Sequence, residues 1–238
     1  MTHALRRAVR AAALLVPVFL AVPAPAQDLP RANDLASQAG LVFRALAEGG
    51  ATGGFASPRD SRRVAEIRRA LQPFRRPLAI GGEQVVLNQT GLTSLAAAWG
   101  SATAHGEGEV AVRVACWASA TPGTQVALVS ALESEPPFRI NGWSLASEAA
   151  TPAGCAPTPR LAPGALALPR GLGWGASPAA AERAIGLRPT RRRPGELTWS
   201  YDLPAAGPGA GWTETVQLRL VFTDRGLSAL AFTALVSN

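Results

Sequence analysis

In the last third of the chain, hydrophobic and polar residues alternate strictly. Leu197, Trp199, Tyr201 and Leu203 interleave with Thr198, Ser200 and Asp202. A period of two puts the first set on one side of a strand and the second on the other. Val216, Leu218, Leu220 and Phe222 repeat the pattern, with Gln217 and Arg219 opposite. Asp224-Arg225-Gly226 then supplies a three-residue hairpin turn whose glycine can take positive φ, and residues 227–235 return as the partner strand. The pattern predicts an antiparallel sheet with one oily face and one wet face, and the oily face needs a helix against it. Residues 178–185 supply one. Ser177 is a good N-cap, Pro178 sits where a missing N–H costs nothing, and Gly186 follows Ile185 where a helix ends left-handed. A basic loop, Arg191, Arg192 and Arg193, joins this helix to the first strand.

Upstream the period becomes helical. Residues 33–48 carry Leu35, Ala39, Val42 and Leu46 behind an Asn33 or Asp34 cap, and Gly49-Gly50 ends the stripe. Residues 58–74 carry Val64, Ile67, Leu71 and Phe74 on one face and Arg62, Arg63 and Arg69 elsewhere, with Pro73 and Pro77 limiting the end. Residues 84–147 read as a degenerate first copy of the last third. Gly91-Leu92-Thr93-Ser94 leads into a short helix at Leu95–Trp99, and strands are predicted over 110–116, 126–132 and 138–146. Trp117 lies 82 positions before Trp199, and Trp143 lies 89 before Phe232. Residues 148–172, dense in Pro, Ala and Gly, form a linker.

The expected organisation is thus a helical region at 27–78, a first copy within 79–147, the linker at 148–172 and a module at 173–238. The expected class is α+β: short helices packed on an antiparallel sheet, as one module or as two tandem copies, preceded by two N-terminal helices.

Around these residues the chain resembles a family. The spacing runs Gly175-x-Ser177, Ile185-Gly186-x-x-Pro189, Trp199-x-Tyr201, then a strand–turn–strand through Phe222-x-Asp224-x-Gly226. It is similar to the SmpA/OmlA family, the small lipoprotein component of the outer-membrane β-barrel assembly machinery. The tandem-repeat β-lactamase inhibitor proteins share that helix-plus-sheet architecture. The resemblance covers residues 175–235. It implies an α+β module that contacts other envelope proteins and performs no catalysis, although glycines and core aromatics specify fold before function.

Residues 1–26 read as a signal peptide. Arg6, Arg7 and Arg10 precede the apolar run Ala11–Val22, and Ala24-Pro25-Ala26 is a small-x-small cleavage site before Gln27. The run is too short, and too interrupted by Pro17, to span a membrane. The expected product is exported, periplasmic or secreted, and not membrane-spanning. Cleavage removes three arginines and no acid, lowering the formal charge from +7 to +4. Every basic residue is arginine. Residues 27–80 hold nine arginines and five acids, 81–157 two and six, and 158–238 nine and five. Basic segments flanking an acidic middle imply internal complementarity, or an acidic partner such as a lipid headgroup, lipopolysaccharide or protein. Nucleic acid is not expected for an exported chain.

Candidate chemistry is sparse. Cys116 and Cys155 lie 39 positions apart, and an exporting compartment favours a disulfide between them, worth roughly 4 kcal/mol on loop entropy. His105, with Glu107 and Glu109, sits in a glycine-rich stretch too poor in ligands for a metal site and reads as a solvated turn. No Gly-x-Ser-x-Gly elbow accompanies it for a hydrolytic triad. No catalytic residue and no cofactor is expected. Trp174 and Trp212 fall in glycine-rich loops and are the tryptophans suited to binding; the others suit a core. An arginine cluster beside an exposed tryptophan has the composition of a binding hot spot, so Arg191, Arg192, Arg193 and Trp212 form the candidate surface. The function expected is protein–protein contact in the cell envelope, linked to outer-membrane assembly or maintenance. The alternatives are a secreted inhibitor of an enzyme and a carrier of a small ligand or lipid.

Overall fold

A computed structural model describes residues 55–80, 83–99, 102–105, 112–119, 124–131, 139–147, 156–158, 171–205 and 211–237. The first part comprises α1 (Ser61–Arg75), β1 (Leu78–Ile80), β2 (Glu83–Val85), α2 (Leu92–Trp99), β3 (Ala102–His105), β4 (Val112–Ser119), β5 (Thr124–Ala131), β6 (Gly142–Ser147) and β7 (Ala156–Thr158). The rest comprises α3 (Pro178–Ile185), β8 (Arg191–Arg193), β9 (Glu196–Pro204), β10 (Thr213–Thr223) and β11 (Gly226–Ser237). Among the described residues, β1 and β2 pair only with each other, and the other strands form one nine-stranded sheet in the order β3-β4-β5-β6-β11-β10-β9-β8. Its neighbours are antiparallel except β7, which lies parallel to β4 off that path. The class is therefore mixed α and β, with few helices on an antiparallel sheet.

The alternation read from the sequence becomes one continuous oily row. Trp199 pairs with Leu218, Leu218 with Phe232, and Phe232 with Trp143, so the row crosses β9, β10, β11 and β6. All four side chains are buried. Helix α1 covers the row with Val64, Ile67, Ala70, Leu71 and Phe74. Phe74 stacks on Phe232 with ring centroids 5.8 Å apart, and Trp143 lies 6.2 Å from Phe232 on its own strand. Helix α3 adds Ala181 and Ile185 to the same core. The expected helical region at 27–78 and the expected module at 173–238 thus share one hydrophobic core.

Local chemistry sets the element ends. Asp60 caps α1, accepting the Arg62 N–H at 3.0 Å, so the helix begins after Pro58 rather than at it. It runs through Pro73 and stops at Arg76, which is extended as a residue before proline must be. Ser177 and Gly186 close α3 as expected, the glycine at φ 73°. The hairpin differs from expectation. Its turn is the two-residue Asp224-Arg225, because Thr223 pairs with Gly226. Gly226 has φ 90°, and a Cβ there would lie 2.2 Å from the Gly175 carbonyl oxygen. Only glycine fits that crossing. One residue later the register shifts, and the Ser228 hydroxyl donates to the Val221 carbonyl.

Three other expectations change. The second sheet face is polar but not wet, since Thr198, Ser200 and Thr233 are buried. Long side chains lie over these short ones: Gln217 donates to the Ser200 hydroxyl at 2.9 Å, and Arg219 pairs with Glu196 beside Thr198. The linker at 148–172 contributes strand β7, and the β1–β2 hairpin flanks a Gly81-Gly82 turn signal that the period of the neighbouring segments obscured. The expected helix at 33–48, residues 1–54 as a whole, and Gly100 lie outside the described residues.

Trp199 also donates its indole N–H to the Leu187 carbonyl at 3.0 Å, one residue past the α3 cap. Trp199→Ala is expected to destabilise the fold by roughly 3–5 kcal/mol, the usual cost of deleting a buried large aromatic. Trp199→Phe should cost less, retaining most of the packing. Denaturant unfolding of both variants checks the order; a loss below about 1 kcal/mol for alanine contradicts the core assignment.

Candidate functional site

Strand β9 is where the chain's remote parts converge. One of its edges pairs with β10 along its whole length. The other edge is satisfied piecemeal. β8 takes residues Glu196–Thr198. The Thr190 hydroxyl then donates to the Thr198 carbonyl at 3.1 Å and accepts the Ser200 N–H at 3.0 Å. Ala56 follows, its N–H on the Ser200 carbonyl at 3.2 Å and its carbonyl on the Asp202 N–H at 3.1 Å. Arg68 of α1 finally donates to the Pro204 carbonyl. Buried backbone groups demand partners, and here an edge obtains them from three separate segments.

Between those segments opens a cleft of about 340 Å³. Pro58, Ile67 and Pro189 give it apolar walls; Arg63, Arg188 and Tyr201 give it polar groups. Among the described residues none of its lining side chains is acidic. Arg63 donates to Glu66 at 2.6 Å, one turn along α1. That hydrogen bond, more than any other influence, raises the Arg63 pKa. Arg63 and Tyr201 line the cleft together. Burial raises the Tyr201 phenol above its usual value of 10.0, against the lowering pull of the Arg63 charge. The cleft is thus lined by two guanidinium groups, one of them paired with Glu66, and by a phenol whose proton is retained by burial. Arg188 is exposed.

The surface expected at Arg191, Arg192, Arg193 and Trp212 is distributed differently. The arginines form the edge strand β8, not a loop. Strand alternation splits them: Arg192 sits opposite Leu197 on the helix side and pairs with Glu182 of α3, while Arg191 and Arg193 sit opposite Thr198 and Glu196 on the other face. All three are exposed. Trp212 is 46% exposed, and its carbonyl accepts the Ala205 N–H at 2.8 Å at the far end of β9. Seven residue steps separate Ala205 from Thr198, about 23 Å at 3.3 Å per residue. The sheet thus places Trp212 near Val236, the other exposed large apolar side chain among the described residues, and away from the arginines. Trp174 packs partly buried against the core, held there by a Gly175 N–H donating to the Leu227 carbonyl at 3.0 Å.

Cys116 lies in β4, opposite Ala102 and Ala127; Cys155 lies outside the described residues. His105 ends β3 opposite Arg113, so it is a strand residue rather than a turn residue; Glu107 and Glu109 lie outside the described residues. Among the described residues no group of three or more His, Cys, Asp or Glu side chains is placed to hold a metal ion. Nor is any described helix long and apolar enough to cross a membrane. Sequence reading missed the cleft because Arg63 and Arg188 are remote in the chain, and Tyr201 looked like a plain core residue. One signal was present: a phenol hydroxyl in an apolar row needs a polar partner.

The chain matches no protein-family model, no curated protein and no solved structure.

Tyr201 is the chain's single tyrosine, so phenolate absorbance reports this site alone. Its ionisation midpoint in the folded protein should lie above 10.0 and return to about 10 on unfolding. The folded state holds the proton more tightly, so this contribution to stability is complete below pH 10 and is lost as pH rises through the folded midpoint. Alkaline destabilisation should be correspondingly weaker in Tyr201→Phe. A folded midpoint at or below 10 contradicts the burial of the phenol.

Proposed function

We propose that this chain is an exported, non-enzymatic protein-interaction module of the cell envelope, serving outer-membrane assembly or maintenance. The observation that supports it most is the exposed arginine edge, β8, which the core does not consume. Arginine is the cation suited to planar carboxylate partners, and an edge strand carrying it favours an acidic partner over self-association. Trp212 offers a second contact about 23 Å along the sheet. A small molecule does not bridge that distance, whereas a protein face burying about 800 Å² does. The order helix, then four successive strands, occurs twice, as α2 with β3–β6 and as α3 with β8–β11. This order supports the reading of two tandem copies. So does the pairing of Trp143 with Phe232, the residues matched by the 89-position offset, across the seam between the halves. Both features suit the SmpA/OmlA resemblance.

Export also favours a Cys116–Cys155 disulfide. β7 runs parallel to β4 with Ala156 opposite Trp117, and each cysteine immediately precedes one member of that pair. Alkylation of the denatured, unreduced protein should label neither cysteine, and reduction should expose both; two labelled thiols before reduction contradict the bond.

The interaction reading is tested by capture from envelope extract with the wild type and two variants. Arg191→Glu with Arg193→Glu reverses the charge of the face away from α3 and spares the Arg192–Glu182 pair; Trp212→Ala removes the second contact. Both should keep the wild-type melting temperature and lose the captured partner. Wild-type association should slow as salt rises. Normal capture by both variants overturns the surface assignment.

A further inference from the structure

We propose that the cleft between residues 56–58, α1 and residues 188–190 binds an organic carboxylate with an apolar body, its charge facing Arg63 and Arg188. The sign of the ligand follows from the lining: two arginines and no acidic side chain among the described residues, with Glu66 beside the cleft offsetting Arg63 and Arg188 leaving a net positive charge. Its apolar part follows from the walls. Pro58, Ile67 and Pro189 offer hydrocarbon, and Ile67 and Tyr201 form a floor the solvent barely reaches. Inorganic phosphate would leave those walls wet, and a polyphosphate would ask for more cations than the cleft holds. The volume, about 340 Å³, is at the small end for ligand sites and fits a single side chain with its carboxylate.

One of the two cations, and the backbone carrying the other, are held in place. Glu66 fixes Arg63 from one side at 2.6 Å, and Tyr201 lies on the same cleft wall. The Thr190 hydroxyl is bound to the β9 backbone at 3.1 and 3.0 Å, and so anchors the segment that carries Arg188. Among the described residues Arg188 has no ion pair, unlike Arg63, Arg75, Arg192 and Arg219. The Glu66-held Arg63 leaves less ordering cost for an incoming anion than a free side chain would, and Arg188, without an ion pair among the described residues, adds positive charge. This proposal stands apart from the interaction surface at β8, because a free carboxylate satisfies it without any protein partner.

The same chemistry is carried by a free small acid and by the C-terminus of a peptide, and two probes separate the sources. Calorimetric titration uses phenylacetate for the first and N-acetyl-alanyl-phenylalanine for the second, with the methyl ester of the dipeptide and inorganic phosphate as controls. At least one carboxylate should bind saturably, and the tighter of the two names the source. The ester and phosphate should bind at least about tenfold more weakly, the scale of one charge-assisted hydrogen bond. Arg188→Gln, at an exposed position, should keep the melting temperature and weaken the carboxylate about tenfold. Arg63→Gln should do the same. The bound carboxylate should also raise the Tyr201 absorbance midpoint further, since a second negative charge beside a phenolate is unfavourable. The Arg191→Glu, Arg193→Glu variant should bind the probe as wild type does, and Arg188→Gln should still capture the envelope partner. Failure here is thereby distinct from failure of the interaction reading. Absence of saturable binding by both carboxylates, equal binding of acid and ester, or unchanged affinity in Arg188→Gln overturns the proposal.

Discussion

The stack of Phe74, Phe232 and Trp143 is the constraint on which the described structure depends. Its rings come from α1, β11 and β6, segments separated by most of the chain. Phe232 and Trp143 face each other across the seam where the β3–β6 half of the sheet meets the β8–β11 half. Phe74 closes over that seam from above. A sheet joined only by its backbone would be free to slip in register; a row of large rings under a helix is not. The burial has a cost, because Trp143 Nε1 has no hydrogen-bond partner among the described residues. An unmade bond of that kind costs about 1–3 kcal/mol, comparable to what burying one large side chain returns.

Polar contacts hold the same seam in register. Asn141, just before β6, donates to the Asn88 side chain at 2.6 Å, and its carbonyl accepts the Ala234 N–H of β11 at 2.9 Å. Asn88 adopts φ 60°, a conformation asparagine tolerates, and donates onward to the Ala234 carbonyl. The loop after β2 is thus tied to both seam strands. At the other end of the core, Arg75 pairs with the buried Glu214 and pins the last turn of α1 to β10. Removing either member would leave the other charge poorly solvated.

The cleft is a by-product of how β9 finishes its outer edge. β8 is only three residues long and leaves the middle of β9 unpaired. Thr190, Ala56 and Arg68 complete the hydrogen bonding in sequence, and none of them continues a flat strand. Side chains flanking these irregular contacts cannot close on one another as a regular strand would. The space that remains is bounded by the prolines that prevent regular pairing and by the arginines beside them. Function, where it resides on this edge, thus uses a place where regular secondary structure stops.

Elements governed by neighbours along the chain were legible in the amino-acid order alone. The two-residue period over 197–203 and 216–222 sufficed for β9 and β10, because each side chain's face follows from its own parity. Ser177, Pro178 and Gly186 sufficed for α3, because capping is satisfied within a few residues. Which elements share a core was settled only in three dimensions. α1 carries a legible stripe, yet nothing local says that Phe74 rests on Phe232. The folded arrangement also makes Arg191, Arg192 and Arg193 a strand with two faces, and puts Trp212 at the far end of the sheet. Strand pairing fixes such distances, and pairing is a contact between remote residues. The cleft was illegible for the same reason: Arg63, Arg188 and Tyr201 belong to three segments whose meeting is dictated by the unfilled edge of β9, not by any pattern within them.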